Sequence, residues 1–335
     1  MPRTVVDSPV QVTTLDDVFR QGSGDAGVAA LLQANDFDLE CLRTNGMLPE
    51  DAWNRMDTRA IQAFTQTLSG IEDLRSRGLT DDLGDIGTLT VSYDRLSQMN
   101  EAEMSMWADI DAEQARLDRS TQTIPVPCIF KEWQLSIRLT AAANRGNVNL
   151  NTDHAFAAGK VVGEKLEQLL FNGNTTVYGN MPIYGYRTHP NRNTGSGSDF
   201  GTAANVYTTV EAMLEKMMDD GAPPPYVLYL HQTQYNESGR VNTAITPASS
   251  PRGLMLENHP ELEDIKFSHQ MTAGEAVMVS MNPLTVTLGI AEDLINVQWD
   301  SLGGLSTHFR TMTVAVPIIK ADYEGRSGIV HYTGV

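Results

Sequence analysis

Lysine is scarce in this sequence: six occur among 335 residues, and none before position 131. No run of basic residues exists, and 24 Lys+Arg face 42 Asp+Glu, a formal charge of −18. A protein that grips nucleic acid needs clustered cations to neutralise phosphates, so sequence-reading contact with DNA or RNA is not expected. The same acidity disfavours adhesion to an anionic membrane surface. Cysteine is rarer still. Cys41 and Cys128 can build neither a disulfide framework nor a metal cluster, and they read as reduced, packed thiols of a cytosolic compartment. No stretch approaches the ~20 apolar residues that cross a bilayer. Met1–Asp7 has no apolar export region. The expectation is a protein made in a cytoplasm, without export or membrane attachment.

Catalytic and ligand motifs are missing as well. The seven histidines (154, 189, 231, 259, 269, 308 and 331) are scattered and form no metal-ligand spacing. Gly195-Ser196-Gly197-Ser198 lacks the G-x-S-x-G pattern of a nucleophile elbow and reads as flexible loop. Gly179 and Gly185 flank no phosphate loop, since no G-x-x-x-x-G-K-[ST] occurs. Asp81-Asp82 and Asp219-Asp220 lack a third ligand at a defined offset and read as solvated faces. Met213, Met217 and Met218 read as core filler. No enzyme activity, cofactor or metal is expected.

What is present is an ordinary globular balance, 41% hydrophobic and 20% charged, with the acidity concentrated early. Residues 1–120 hold 22 acids and 10 bases, whereas 121–335 hold 20 and 14. Residues 1–46 read as an arm punctuated by Pro and Gly. Pro49-Glu50-Asp51 suits the first turn of a helix, with acids where the dipole favours them, and helical spacing continues through Met56, Ala60, Ala63, Phe64 and Leu68 to Gly70. Beyond it, glycines break the acidic stretch 71–127 into short pieces, with strands expected at 88–93 and 123–130. Few large aliphatic residues lie between those strands, so the segment reads as a hairpin-like excursion that leaves the domain and returns. Two prolines in the return strand suit an edge. Phe130–Arg138 alternates as a half-buried strand. Asn151-Thr152-Asp153 offers caps for a helix ending at Asn172-Gly173. Ala155, Ala158, Gly159, Val162, Leu166, Leu169 and Leu170 share its apolar stripe, and Gly159 and Gly163 are expected where another element passes closely. A loop over 173–204, a helix over 206–219, a buried strand 226–230, strands near 264–271, 276–281 and 284–290, and final strands 309–319 and 329–332 complete an α+β chain without internal repeats.

This order resembles the Hong Kong ninety-seven-type capsid fold of tailed-phage major capsid proteins and encapsulins. The residues that carry the resemblance are Leu48-Pro49-Glu50-Asp51-Ala52-Trp53 with Met56-Asp57, then Ile124-Pro125-Val126-Pro127 through Lys131-Glu132-Trp133 and Arg138. Ala157-Ala158 to Leu170-Phe171-Asn172-Gly173 and Ile183-Tyr184-Gly185-Tyr186-Arg187-Thr188-His189-Pro190 extend it. These stretches look like the encapsulin branch. The segment Leu68–Asp73 lacks that branch's paired arginines, the lead-in before Trp53 is longer, and 174–204 and 240–262 are enlarged, departures that favour a virion protein.

The resemblance implies an N-terminal arm at 1–46, a helix and connection of the peripheral domain at 47–83 and an extended loop at 84–127. It further implies a peripheral domain at 128–204 with a spine helix at 152–171, an axial domain at 205–300 and return strands at 301–335. The implied function is the major capsid protein of a tailed double-stranded DNA phage head, assembled in a host bacterial cytoplasm; the alternative is an encapsulin shell around a cargo enzyme. Implied partners are copies of the chain in pentamers and hexamers, scaffolding, portal and decoration proteins, and enclosed DNA held without sequence-specific contact. Subunit contacts are expected at Val5, Val10 and Val12 in the arm, Leu89, Val91 and Tyr93 in the excursion, and Pro247, Pro251 and Arg252 in the axial loop 244–260. Some phages of this fold weld subunits through Lys–Asn bonds; the excursion 84–127 holds no lysine, so a non-covalent shell is expected.

Overall fold

A computed structural model describes residues 50–66, 68–97, 99, 106, 117–136, 150–178, 181–241, 250–301 and 306–335. Two helices open this part, α1 (Glu50–Gln66) and α2 (Ser69–Ser76). Strands β1 (Thr80–Asp82), β2 (Thr90–Leu96), β3 (Arg119–Pro125) and β4 (Cys128–Ser136) precede the long helix α3 (Leu150–Asn172). Then come β5 (Asn174–Tyr178), β6 (Met181–Ile183), β7 (Asn193–Ser196), α4 (Ala203–Asp219), β8 (Tyr226–Leu230), α5 (Gln232–Ser238) and α6 (Pro251–Asn258). The chain ends with β9 (Leu262–Phe267), β10 (Glu275–Ser280), β11 (Val286–Ser301), β12 (Ser306–Ile319) and β13 (Ile329–Thr333).

Two sheets organise these elements. One runs β1-β11-β12-β4 and the other β7-β13-β10-β8-β9, while β2 and β3 form a separate two-stranded ribbon and β5 pairs with β6. The apolar stripe of α3 packs into the core shared with α1, α2 and the four-stranded sheet. Val206, Val210, Met213, Leu214 and Met217 of α4 face the five-stranded sheet in a second core.

Several expectations change here. The expected single helix up to Gly70 divides, because the segment after Leu68 restarts as α2 rather than dissolving into loop. The expected strand 123–130 divides at Val126-Pro127. Within β4 Leu135 is buried and Ile129 and Trp133 are half-buried on the same face, so Phe130 falls on the opposite face and is 54% exposed. The stretch 173–204 contains three short strands, and Gly195-Ser196 belongs to β7, paired in parallel with β13. Met218 is exposed, unlike Met213 and Met217. Residues 251–258 of the expected axial loop are helical, with Met255 buried in the second core. Strand β11, expected in the axial unit, pairs with β12 and β1, and β13, expected among peripheral strands, pairs with β10 and β7. Strand sequences reveal burial but not partners, which are chosen by long-range pairing.

The long helix explains why its first half carries small residues. A Cβ at Gly159 would overlap the Ala60 carbonyl, so α1 crosses α3 at backbone distance. Farther along, Gly70 sits against Leu170 and Phe171, so the chain through α1 and α2 advances in the same direction as α3. The buried Glu167 carboxylate then accepts from Ser69 Oγ (2.8 Å) and from the N–H groups of Gly70 (2.9 Å) and Ile71 (3.2 Å). It therefore caps the start of α2 across 97 residues of sequence. Burial pushes this carboxyl above the usual range, against the lowering effect of those hydrogen bonds.

Two outcomes follow for the unassembled subunit. Gly159→Leu is expected to overpack the α1–α3 crossing and lower stability by about 3 kcal/mol in urea unfolding, while the exposed Lys160→Ala stays within about 0.5 kcal/mol. Equal tolerance of both contradicts the crossing. Glu167→Ala is expected to lose about 3 kcal/mol by orphaning buried N–H groups. Because the folded state raises the Glu167 pKa, its stabilising contribution is full below the unfolded value, about pH 4, and declines as pH rises through the folded value. Glu167→Gln should thus flatten the stability–pH curve between pH 4 and 8, measured as unfolding midpoints.

Candidate assembly surfaces

The carboxyl end of α3 fixes how the two sheets meet. Its last carbonyls find partners outside the helix: Tyr186 N–H donates to Leu170 O (2.9 Å), Arg187 N–H to Phe171 O (2.9 Å) and Thr188 Oγ1 to Asn172 O (3.1 Å). Gly173 turns the chain at φ +67°, and a Cβ on Gly173 or Gly185 would strike the opposing backbone. Phe171 meets the edges of Tyr186 and Tyr229 at centroid distances of 5.5 and 5.2 Å. Tyr229 Oη donates to buried Asp73 on α2 (2.6 Å), and Lys266 of β9 pairs with the same carboxylate. Burial raises both tyrosine pKa values, and the nearby Glu167 and Asp73 charges add to it. Arg187 adds bonds to Asn172, Thr272 and Glu275.

From this frame the ribbon of β2 and β3 projects. Neither strand has a fully buried side chain before Pro125; both alternate exposed and half-buried positions. Half-buried Val91, Tyr93 and Ile124 line up with Leu83 and Ile86 over Val126, Leu169, Ile183, Val314 and Val316 of the same chain. Tyr93 Oη donates to Ile319 O (3.2 Å), and burial raises its pKa. Leu89 is 65% exposed at the ribbon's base, and Leu96, Met99, Met106 and Leu117 continue the exposed apolar series outward. Ser97 and Asp118 close the described ribbon with a pair of 2.9 Å bonds.

At the far end of the five-stranded sheet, Pro251 is buried in the first turn of α6 beneath the Ser250 cap. Arg252 lays its guanidinium 4.3 Å over the Tyr235 ring of α5. The expected contact residues thus divide: the Leu89 side chain is largely exposed, Val91 and Tyr93 rest on their own domain, and Pro251 anchors the helix that displays Arg252. Val5, Val10, Val12 and Pro247 lie outside the described residues.

One surface escaped the sequence reading. Strand β4 is the edge of its sheet, with β12 on one side and no strand on the other among the described residues. Beside that edge, Pro127, Cys128, Ile129, Phe130, Lys165, Leu169 and Asn174 line an open, mainly apolar groove of about 320 Å³. Exposed Phe130 was the available signal, hidden by counting it into the buried alternation. Among the described residues no group of three His, Cys, Asp or Glu side chains could hold a metal ion, and no helix is long and apolar enough to cross a membrane. His189 is buried and pushed down to about 4 by desolvation, reinforced by Arg192 and Arg95. Its Nδ1 accepts from Asn191 N–H (3.3 Å) within the turn that follows the spine helix.

Comparison with known proteins places this architecture. A virus-like particle protein from Pyrococcus furiosus superposes with a TM-score of 0.63 at 11% identity, covering 84% of this chain and 98% of that one. The capsid of Myoviridae phage XM1 gives 0.63 at 16% identity, covering 76% and 89%. The fold is the Hong Kong ninety-seven-type capsid fold expected from the sequence. The Type 1 encapsulin shell protein EncA of Myxococcus xanthus is 22% identical over 253 residues, 74% of this chain and 82% of the relative. The model of one family, described as a family of unknown function (DUF6260), matches residues 43–332, and the chain belongs to that family.

Proposed function

We propose that this chain is a shell subunit, and specifically the major capsid protein of a tailed double-stranded DNA phage head. The observation that carries the proposal is the ribbon: an extension on a capsid-type fold whose Leu89, Leu96, Met99, Met106 and Leu117 are exposed large hydrophobic residues. Apolar surface of that kind is stabilised by burial against neighbours. In this reading Leu89, and Arg252 at the axial end, are subunit contacts, and the copies gather as pentamers and hexamers into the virion shell. Scaffolding, portal and decoration proteins are further partners of such a head, and no membrane takes part. The low lysine content and the −18 charge suit a head filled by a motor, since an acidic wall repels packaged DNA rather than condensing it.

A second reading, an encapsulin shell around a cargo enzyme, is favoured by the EncA likeness. Supporting the phage reading against it are the long lead-in before Trp53 and the enlarged segments 174–204 and 240–262.

Expression with and without a scaffold, followed by electron microscopy, tests the shell; a monomer that stays monomeric at high concentration contradicts it. Nuclease-protected genomic DNA in native particles on a tail supports the phage head, and small DNA-free particles holding an enzyme support the encapsulin. Mature particles boiled in detergent are expected to yield single 36.7 kDa chains on a gel, not a cross-linked ladder. Leu89→Glu should leave the subunit's melting unchanged and reduce particle yield by about tenfold, since roughly 1.4 kcal/mol per contact changes an equilibrium tenfold.

A further inference from the structure

We propose that Arg192 and two histidines, His189 and His331, form an acid-sensitive latch that holds the turn after α3, and the strand β7 that follows it, against β13. The latch belongs to the single subunit and operates whether or not copies assemble. Arg192 Nε donates to Nδ1 of His331 on β13 (3.3 Å), and Arg192 Nη1 donates to the backbone carbonyl of His189 (2.8 Å). A guanidinium offers only donors and keeps its charge. Nδ1 of His331 therefore carries a lone pair, and the proton of the neutral ring sits on Nε2, which faces Glu275 Oε2 at 3.6 Å. His189 is under the same constraint, because its Nδ1 accepts from the Asn191 N–H (3.3 Å). The two residues are buried, at 5% and 7% exposure.

The charges around the rings disfavour a further proton. Arg187 and Arg192 face them from the turn, Arg95 from the ribbon, and Glu275 from β10. Glu275 is already engaged by Arg187 (2.5 Å). On β7, Thr194 lies opposite His331, its carbonyl accepts from Lys216 of α4 (2.7 Å), and Asn193 donates to Asp220 (2.6 Å). In the turn before β13, Arg326 pairs with Glu324, and Ser327 Oγ donates to Asn191 O (3.0 Å). A proton taken from solvent onto His331 Nδ1 would set one N–H against another and add a cation beside Arg192. Burial lowers both histidine pKa values, His189 to about 4, and Arg192 adds to the lowering at each, while Glu275 opposes it at His331. The sign follows: the closed latch is fully stabilised above the ordinary value of 6.5 and loses that contribution as pH falls toward the folded value. Residues 189–196 are then released from β13, while Tyr186 and Arg187 still donate to the last carbonyls of α3.

Amide exchange of the full-length chain at about pH 7.5 and about pH 4.5, corrected for the intrinsic rate at each pH, reads the latch. Gly197, whose N–H donates to Thr333 O (2.9 Å), and the amides of β7 are the reporters. Their protection should fall on the order of fiftyfold in acid, the effect of freeing one ring from a value of about 4 to its ordinary 6.5, while β8 and β10 keep theirs. Unchanged protection of β7, or an equal loss in β8 and β10, overturns the proposal. Combining His189→Asn with His331→Asn leaves an acceptor near each Nδ1 position and removes the titration, so the acid-induced loss should vanish. A loss that persists in this variant comes from Glu275 or another group and overturns the proposal. Arg192→Gln gives a second reading that holds even where the double variant fails to fold. At about pH 7.5 it should show the weak β7 protection that the unmodified chain shows only in acid. Full protection of β7 in that variant overturns the latch.

Discussion

The carboxyl end of the long helix α3 is the constraint on which the rest of the subunit depends. A helix leaves its last carbonyls without internal partners, and here they are met by the turn Gly185–Thr188 rather than by water. One turn earlier, Glu167 reaches the opposite way and caps α2. One helix end therefore holds two remote chain segments, and both contacts are made by buried groups that would be costly to leave unpaired.

From that point the geometry spreads outward. Fixing α2 places Asp73 against Tyr229 and Lys266, which ties the five-stranded sheet to the spine. Fixing the Gly185–Thr188 turn places Arg187 against Glu275 of the same sheet and Thr272 of the loop before it. Arg75 on α2 adds a two-pronged pair with Asp293 of β11, holding the other sheet. The relative placement of the ribbon, the β4 groove and the α5–α6 end is thus set by directional polar contacts together with a shared apolar core that joins α1, α2 and α3 to both sheets. The distinction matters for a shell protein. Apolar packing is non-directional, but the angle between parts of a subunit must be the same in every copy for a closed surface to form.

The surfaces that remain carry opposite kinds of incompleteness. The ribbon offers apolar side chains, while β4 is, among the described residues, the edge strand of its sheet beside an apolar groove. Natural sheets normally blunt such an edge with charge or proline. Lys131 and Glu132 supply charge on β4, and Glu132 is engaged by Arg310, whose guanidinium also covers the Phe130 ring at 4.9 Å. At the end of the strand nearest the groove, Pro127 precedes Cys128.

The sequence by itself determined the elements with strong local signals. The stripe of α3, the small residues at its start, the Phe-Asn-Gly stop, the buried run of β8 and the bare hairpin-like ribbon are all legible because their periodicity and punctuation are local. Gly159 was readable as a close approach, although not that Ala60 makes it. Tertiary structure alone decided everything that needs a partner distant in sequence. That Glu167, an unremarkable acid inside a helix, is a buried cap depends on Gly70 arriving 97 residues away in sequence. That β11 joins β12 and β1 while β13 joins β10 and β7 depends on pairing, for which an isolated strand carries no label. That Phe130 points out while Trp133 and Leu135 point in depends on strand parity, which two prolines and a break at Val126-Pro127 conceal. Local patterns record how much of a residue is buried; only the folded chain records against what.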